Sequence, residues 1–201
     1  MHLAVTVGFD EALVVRAIAN IKANEIYLLR GFTSSEGDAK SQEAVRRIIR
    51  ALQRGSERVV DLRDPARGLR EIAEIEFDVV ALAGGPRLLV LLTFAVAALK
   101  GAKIYVVPEY ASDALDVTGL GSIVVLKNLS EAKLRLLSKL TEWKHAEVVA
   151  KEVGLDTSTV YRHLNSLDEV GLVRGEGKRR KKYVADRLVT ELASITLKYI
   201  Q

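Results

Sequence analysis

The first 126 residues alternate between short, nearly continuous apolar runs and longer segments in which apolar residues recur every three or four positions. The runs predict strands that are buried on both faces of a parallel sheet, and the periodic segments predict amphipathic helices. The predicted strands are 3–7, 25–29, 58–62, 79–83, 104–107 and 123–126, and the predicted helices are 11–22, 39–53, 65–75 and 87–100. This alternation predicts an α/β fold with a Rossmann-like parallel sheet covered by helices.

The pattern changes after Asn128, where Ser130 is a predicted N-cap for a helix over 131–140. A second helix over 145–153 ends at Gly154, and a third begins near Thr157, after which the runs 172–174 and 182–184 predict a hairpin. Three helices followed by a hairpin predict a winged helix-turn-helix. We therefore predict two domains: a ligand-sensing domain over 1–127 and a DNA-binding domain over 128–201.

The last predicted helix, over 186–200, has an apolar stripe at helical spacing. The stripe consists of Leu188, Leu192, Ile195 and Tyr199. It is suited to a partner helix in a dimer, or alternatively to packing on its own domain.

Charge is distributed unevenly between the two predicted domains. Residues 1–128 contain 16 Lys/Arg and 16 Asp/Glu, whereas residues 129–201 contain 14 and 10, so the whole net charge of +4 lies in the last third. Five consecutive cations at the hairpin tip favour binding to the DNA backbone. The candidate DNA-binding residues are Thr157, Ser158, Tyr161, Arg162 and Asn165 on the third helix, and Lys178, Arg179, Arg180, Lys181 and Lys182 on the wing.

The third helix has the residue types that read base edges in the major groove. Arg162 is a candidate for guanine and Asn165 for adenine, although contact with phosphate alone is an alternative for both. For Tyr161, packing under the wing is an equally good alternative.

In a parallel α/β sheet, ligands bind beyond the carboxyl ends of the strands. The candidate ligand-binding residues therefore follow predicted strands one, two and four: Gly8, Phe9 and Asp10; Phe32, Thr33, Ser34 and Ser35; Gly84, Gly85, Pro86 and Arg87. Two glycines before a helix start allow an anion to approach backbone amides, and Arg87 is a candidate phosphate clamp. The alternative for this turn is a tight strand-to-helix connection with a solvated arginine. For Thr33, Ser34 and Ser35 the alternative is an ordinary hydroxyl-rich loop.

Several enzyme classes are excluded by missing motifs. The chain has no G-x-G-x-x-G after strand one, no Walker A motif, no G-x-S-x-G and no cysteine, and its three histidines are scattered. We expect no catalytic residues, no metal and no cofactor. The longest apolar stretch, 88–99, would span only about 18 Å as a helix against about 30 Å for a bilayer core, so we expect no membrane contact and a cytoplasmic protein.

The chain resembles the CARF-domain transcription regulators of archaeal CRISPR–Cas loci, in which a Rossmann-like CARF domain precedes a winged helix-turn-helix. The segments that carry the resemblance are Val7-Gly8-Phe9-Asp10, Gly84-Gly85-Pro86-Arg87 and Ser158-Thr159-Val160-Tyr161-Arg162-His163-Leu164. The resemblance implies a homodimer whose two CARF domains form one pocket, a cyclic oligoadenylate effector (most often cyclic tetra-adenylate), and double-stranded promoter DNA as the second partner.

Three functions are consistent with these features. The first is a transcription regulator that responds to a cyclic oligoadenylate. The second is a ring nuclease, in which Arg87 and Ser/Thr hydroxyls would align the 2′-OH of the ligand. The third is a regulator that senses another metabolite.

Overall fold

The computed structural model of the protein describes residues 1–177 and 180–199. The chain divides into two compact units, Met1–Gly121 and Ser122–Gln201. Each unit has its own hydrophobic core.

The first unit, which is described in full, contains a sheet flanked by four helices. Its strands are β1 (His2–Val7), β2 (Glu25–Phe32), β3 (Ser56–Asp61), β4 (Val79–Leu82), β5 (Lys103–Val106) and β6 (Leu115–Asp116), and its helices are α1 (Glu11–Asn20), α2 (Gly37–Leu52), α3 (Pro65–Ala73) and α4 (Arg87–Lys100).

The strand order is β3-β2-β1-β4-β5-β6, and all neighbours are parallel except β5 and β6. One face of the sheet packs against α1 and α2 around Val14, Val45 and Ile48. The other packs against α3 and α4 around Ile72 and Leu89. This confirms the predicted Rossmann-like α/β fold.

A capping side chain begins α3, and a glycine ends α4. The Asp64 side chain accepts hydrogen bonds from the backbone N–H groups of Ala66 and Arg67 at the start of α3. Gly101 ends α4 in the left-handed region at φ +66°, where glycine has no steric penalty.

One predicted strand was wrong. Residues 123–126 form a short helix, α5 (Ile123–Leu126), and the sixth strand is β6, within a segment that showed no clear pattern. A four-residue apolar run fits either element. The two residues of β6 are both exposed, so they leave no apolar signal.

The second unit contains helices around a three-stranded sheet of order β7-β9-β8. Its described elements after α5 are α6 (Glu131–Ser138), β7 (Lys144–His145), α7 (Ala146–Val153), α8 (Thr157–Glu169), β8 (Val173–Glu176), β9 (Lys182–Ala185) and α9 (Arg187–Tyr199). The apolar side of α8, formed by Val160, Leu164 and Leu167, is fully buried. These elements form the predicted winged helix-turn-helix.

The division between the units lies after Gly121, whereas the sequence placed it after Lys127. The reason is Leu126, which is fully buried in the core of the second unit. Helix α5 therefore belongs with the winged domain.

Helix α9 packs on its own domain through Val189 and Ala193, while the predicted stripe stays mostly open. Leu192 is partly buried, but Ile195 and Tyr199 are exposed.

Candidate functional site

The tips of β1 and β4 meet where the strand order reverses, the point at which open α/β sheets bind ligands. A Cβ on Gly8 would lie 2.6 Å from the backbone nitrogen of Gly85, and a Cβ on Gly85 would lie 2.7 Å from the carbonyl oxygen of Val7. Gly85 also has a φ of +101°. The close approach of these two tips therefore requires glycine at both positions.

Thr6 links the same two strands from within the core. Its hydroxyl is fully buried and accepts hydrogen bonds from the backbone N–H groups of Ala83 (3.1 Å) and Gly84 (3.3 Å). This fixes the start of the glycine turn relative to β1. This link could not be predicted from the sequence, because a lone threonine in an apolar strand resembles any other β-branched residue.

The loop between β2 and α2 is organised around Asp38. Its carboxylate accepts hydrogen bonds from the backbone N–H groups of Thr33 and Ser34 and from the Thr33 hydroxyl, at 2.7 to 3.1 Å. The Ser35 hydroxyl lies 2.7 Å from that of Thr33 and donates to it, since the Thr33 proton is directed to Asp38. Burial raises the pKa of Asp38, but the hydrogen bonds from residues 33–35 outweigh it and hold that pKa below its ordinary value.

A cavity of about 230 Å³ lies at these strand tips. It is lined by Gly8, Phe9, Gly31, Thr33, Ser35, Gly37, Asp38, Ser41, Gly85 and Pro86. Two glycine-rich tips, one hydroxyl-rich loop and the first turns of α2 thus surround one space.

Six of the eleven predicted ligand residues line this cavity: Gly8, Phe9, Thr33, Ser35, Gly85 and Pro86. The other five lie around it. Asp10 caps α1 by accepting the N–H of Ala12, Gly84 bonds to Thr6, Phe32 lies under Arg63, and Ser34 and Arg87 are exposed. Gly31, at the same predicted strand tip as Thr33, also lines the cavity but was not among the eleven, and Gly37, Asp38 and Ser41 were not predicted from the sequence.

Arg87 is the first residue of α4. Within the part of the chain that the structure describes, its guanidinium has no hydrogen bond or ion pair. The backbone N–H of Gly85 likewise has no partner among the described residues.

In the winged domain, Asp156 is the N-cap of α8, and its side chain accepts hydrogen bonds from the N–H groups of Ser158 and Thr159. Ser158 and Arg162 are exposed and Thr157 is half-buried. Asn165 is exposed too, but its Oδ1 accepts a hydrogen bond from the hydroxyl of Tyr183 at 2.8 Å.

Tyr161 packs beneath the wing, as its alternative interpretation anticipated. Its ring meets that of Tyr183 edge-on at 6.5 Å, and its hydroxyl donates to Glu147 at 3.1 Å. Burial, followed by the hydrogen bond to Glu147, raises the pKa of Tyr161.

The wing consists of β8 and β9, which pair from Val173 and Ala185 to Glu176 and Lys182. Arg180 and Lys182 are exposed and Lys181 is half-buried. Lys178 and Arg179 lie outside the described residues.

In residues 1–177 and 180–199, no group of three or more His, Asp or Glu side chains is arranged to hold a metal ion. None of the helices in those ranges has the length and apolar character needed to cross a membrane.

Comparison with known proteins gives two family matches. Residues 1–118 match the family described as the Csa3 CRISPR-associated Rossmann-like domain. Residues 128–187 match the family described as the sugar-specific transcriptional regulator TrmB.

A full-length relative and two solved structures are similar to the chain. The relative is the "CRISPR locus-related putative DNA-binding protein Csa3" of Thermoproteus tenax, which is 39% identical over 196 residues, or 97% of this chain and 96% of the relative. The structure of Can2 from Sulfobacillus thermosulfidooxidans in complex with cyclic tetra-adenylate is 11% identical and covers 98% of this chain and 61% of Can2, with a TM-score of 0.45. A MarR-family transcriptional regulator from Rhodococcus is 21% identical and covers 40% of this chain and 64% of that protein, with a TM-score of 0.31.

The first family match spans more than half of the chain, and the Thermoproteus relative aligns over nearly all of both proteins. The chain therefore belongs to the Csa3 family of CRISPR-associated DNA-binding regulators, with a CARF-type Rossmann-like domain followed by a TrmB-type winged helix-turn-helix.

Proposed function

We propose that this protein is a transcription regulator that binds a cyclic oligoadenylate, cyclic tetra-adenylate in particular, between two copies of its CARF domain, and binds promoter DNA through its winged domain. The observation that carries the proposal is the cavity at the β1/β4 switch point, where glycine backbone, hydroxyls and a helix start converge. The resemblance to CARF regulators supplies the identity of the ligand.

The groups around the cavity suit a phosphodiester. The N–H of Gly85 has no partner among the described residues, and the first N–H groups of α4 are free as in any helix. Amides and a positive helix end together favour an anion. Arg87 at the head of α4 is exposed, so it is free to form a bidentate contact with a phosphate.

The size of the cavity supports a composite pocket. At about 230 Å³ it is smaller than the roughly 300–1,000 Å³ typical of pockets for drug-sized ligands, and a ring of four nucleotides is larger than such ligands. One chain can enclose only part of the ring. A second copy of the chain would supply the rest.

Helix α4 offers a surface for that second copy. Leu91 and Leu99 are 64% and 74% exposed, and Arg87, Leu91, Ala95 and Leu99 follow one another at a spacing of four, which places them on one side of the helix. Exposed apolar stripes of this kind mark interaction sites. Dimerisation through this side would bring Arg87 to the interface.

The winged domain supplies the DNA-binding surface of the proposal. Arg162 is exposed on α8 beside Ser158, and Arg180 and Lys182 are exposed on the wing. A recognition helix fits the major groove while a cationic wing contacts phosphates. The Tyr161 hydroxyl donates a hydrogen bond to Glu147, and Asn165 accepts one from Tyr183. We therefore assign Tyr161 and Asn165 to positioning the helix rather than to direct base contact.

We propose binding without cleavage as the activity of the cavity. Its lining has the hydroxyls of Thr33, Ser35 and Ser41 but no histidine or lysine among the described residues. A ring nuclease would need a group that takes the 2′-OH proton. The carboxylate in the lining, Asp38, is a weak base for this role because its pKa is lowered and it already accepts hydrogen bonds from Thr33 and Ser34. Labelled cyclic tetra-adenylate is therefore expected to stay cyclic through prolonged incubation with the protein, and the appearance of linear products would favour the nuclease.

The experiment that tests the proposal is fluorescence anisotropy on a duplex from the promoter of the protein's own CRISPR-associated operon. The DNA affinity is measured alone, with saturating cyclic tetra-adenylate, and with linear tetra-adenylate as control. We expect the cyclic form alone to change the affinity by about 5-fold or more, since coupling between sites is typically about 1–3 kcal/mol. An identical affinity in all three conditions would contradict it.

A further inference from the structure

Beside the cavity, at the carboxyl end of β3, Arg63 lies over an aromatic ring. Its Cζ atom is 4.6 Å from the centroid of the Phe32 ring, and Phe32 pairs with Asp61 across the β2/β3 ladder. Arg63 was not among the residues predicted from the sequence. It sits on a different strand tip from the residues that line the cavity.

The guanidinium of Arg63 makes hydrogen bonds through its nitrogen atoms. Its Nε and Nη2 atoms donate to the two oxygens of Asp61 at 2.9 and 2.7 Å, and its Nη1 atom lies 3.4 Å from the hydroxyl of Ser34. All three nitrogens are therefore engaged in the plane of the group. Asp61 also balances the charge of Arg63, which makes this arginine a weak partner for a phosphate.

What remains open is the flat face that points away from Phe32. The Arg63 side chain is 53% exposed although it is fixed on one face by the ring and along one edge by Asp61. A planar group that is held in position and open on one side is suited to stacking. Nucleobases stack on arginine planes as they do on aromatic rings.

The loop that forms the cavity wall connects this platform to the cavity. Ser34, which Arg63 approaches, stands between Thr33 and Ser35, and both of those line the cavity. Phe9 also lines the cavity and is 66% exposed, and a Cβ on Gly37 would lie 3.2 Å from its Cζ and 3.4 Å from the Ser35 hydroxyl. A ligand whose phosphates occupy the cavity therefore has two flat side chains nearby, Arg63 and Phe9.

We infer that the open face of Arg63, backed by Phe32, is a stacking platform for one base of the nucleotide ligand, and that it makes Arg63 an affinity-determining residue of the site. The inference rests on the proposed function and adds to it a base contact that is separate from the phosphate contacts at Gly85 and Arg87. Phe9, which is exposed in the cavity lining, offers a second base a flat surface.

The test is titration calorimetry of cyclic tetra-adenylate with four forms of the full-length protein: wild type, Arg63→Ala, Arg63→Lys and Arg67→Ala. Stacking on one platform is worth about 1–3 kcal/mol per base, so Arg63→Ala is expected to raise Kd about 10-fold or more. Arg63→Lys keeps the charge and an ion pair but not the plane, so it is expected to weaken binding similarly. Arg67→Ala is the matched control, because Arg67 also contacts Asp61, at 3.4 Å, but pairs mainly with Glu71.

The possible results distinguish failure of the proposed function from failure of this inference. Absence of binding by the wild type overturns the proposed function, and the inference with it. Wild-type affinity in Arg63→Ala overturns the inference alone. Recovery of affinity in Arg63→Lys would show a phosphate contact instead of stacking and would also overturn it. Thermal unfolding of each variant shows that it is folded, and Arg63→Lys provides a folded test if Arg63→Ala is destabilised.

Discussion

The carboxylate of Asp38 accepts hydrogen bonds from both the backbone N–H and the hydroxyl of Thr33. One side chain in the first turn of α2 thereby closes the loop that precedes it. The same carboxylate also holds the N–H of Ser34, whose φ is +62°, a conformation that a serine seldom adopts without support. The shape of the cavity wall therefore depends on Asp38.

Asp38→Ala is expected to lower both stability and ligand affinity. Donors left without a partner cost about 1–3 kcal/mol, so we expect the free energy of unfolding to fall by about that amount and Kd for cyclic tetra-adenylate to rise about 10-fold. The measurements are chemical unfolding and calorimetry. Glu36→Ala is the control, because Glu36 stands two residues earlier and makes no side-chain cap bond; equal effects of the two changes would contradict this role.

The sequence was sufficient for most of the fold but not for this loop. Gly8 and Gly85 follow apolar strands, so their place at the sheet edge could be read from the pattern. The role of Asp38 could not, because it depends on a loop that folds back on the following helix. A Thr-Ser-Ser run followed closely by an aspartate at a helix start is the signal that was available, since such side chains often bond to nearby backbone.

The role of Arg63 is a second feature that could not be predicted from the sequence. Its position near Ser34 depends on β3 lying beside β2 with Phe32 opposite Asp61, and strand order is not contained in the apolar pattern. The same applies to Tyr161, for which base contact and packing under the wing were equally compatible with the sequence. The edge-on contact of Tyr161 with Tyr183 depends on the position of β9, which the pattern of the third helix does not contain.

Asp61 is expected to make stability depend on pH in the acid range. Hydrogen bonds from Arg63, opposed by burial, lower the pKa of Asp61 to about 2. A carboxyl whose pKa is lower in the folded state stabilises the protein at pH values above its unfolded pKa, which is near 3.8 for Asp61. This stabilisation is lost as the pH falls through the folded pKa. The difference in unfolding free energy between wild type and Asp61→Asn should therefore shrink between about pH 4 and pH 2.

The measurement is urea unfolding at a series of pH values between those limits. Asp113→Asn, which alters an exposed carboxylate, serves as control. A difference for Asp61→Asn that stays constant over the whole range would contradict the assignment.

Tyr183→Phe is expected to destabilise the winged domain. Tyr183 is fully buried and its hydroxyl donates to Asn165, and loss of one such bond typically costs about 0.5–1.5 kcal/mol. The single tryptophan, Trp143, lies in this domain, so its fluorescence during urea unfolding reports on the domain directly. Tyr199→Phe, at an 84% exposed position, should change nothing, and an unchanged midpoint for Tyr183→Phe would argue against the bond.

The wing is expected to contribute to DNA binding through phosphate contacts. Arg180→Ala and Lys182→Ala should each reduce the slope of log affinity against log salt by about 0.9, the value for one phosphate neutralised. Anisotropy titrations over a range of salt concentrations measure that slope. Lys22→Ala, an exposed lysine of the first unit, is the control; unchanged slopes for both wing variants would place the DNA elsewhere.

Ligand binding is tested most directly by titration calorimetry of the purified protein with cyclic tetra-adenylate, with the linear form and Arg87→Ala as comparisons. We expect tight binding of the cyclic form at one ligand per two chains and weak binding of the linear form. For Arg87→Ala we expect a Kd about 10-fold higher, since a hydrogen bond to a charged group contributes about 1.5–3 kcal/mol. Failure of the cyclic form to bind a protein that still binds promoter DNA would contradict the proposed function. One ligand per chain would contradict the composite pocket.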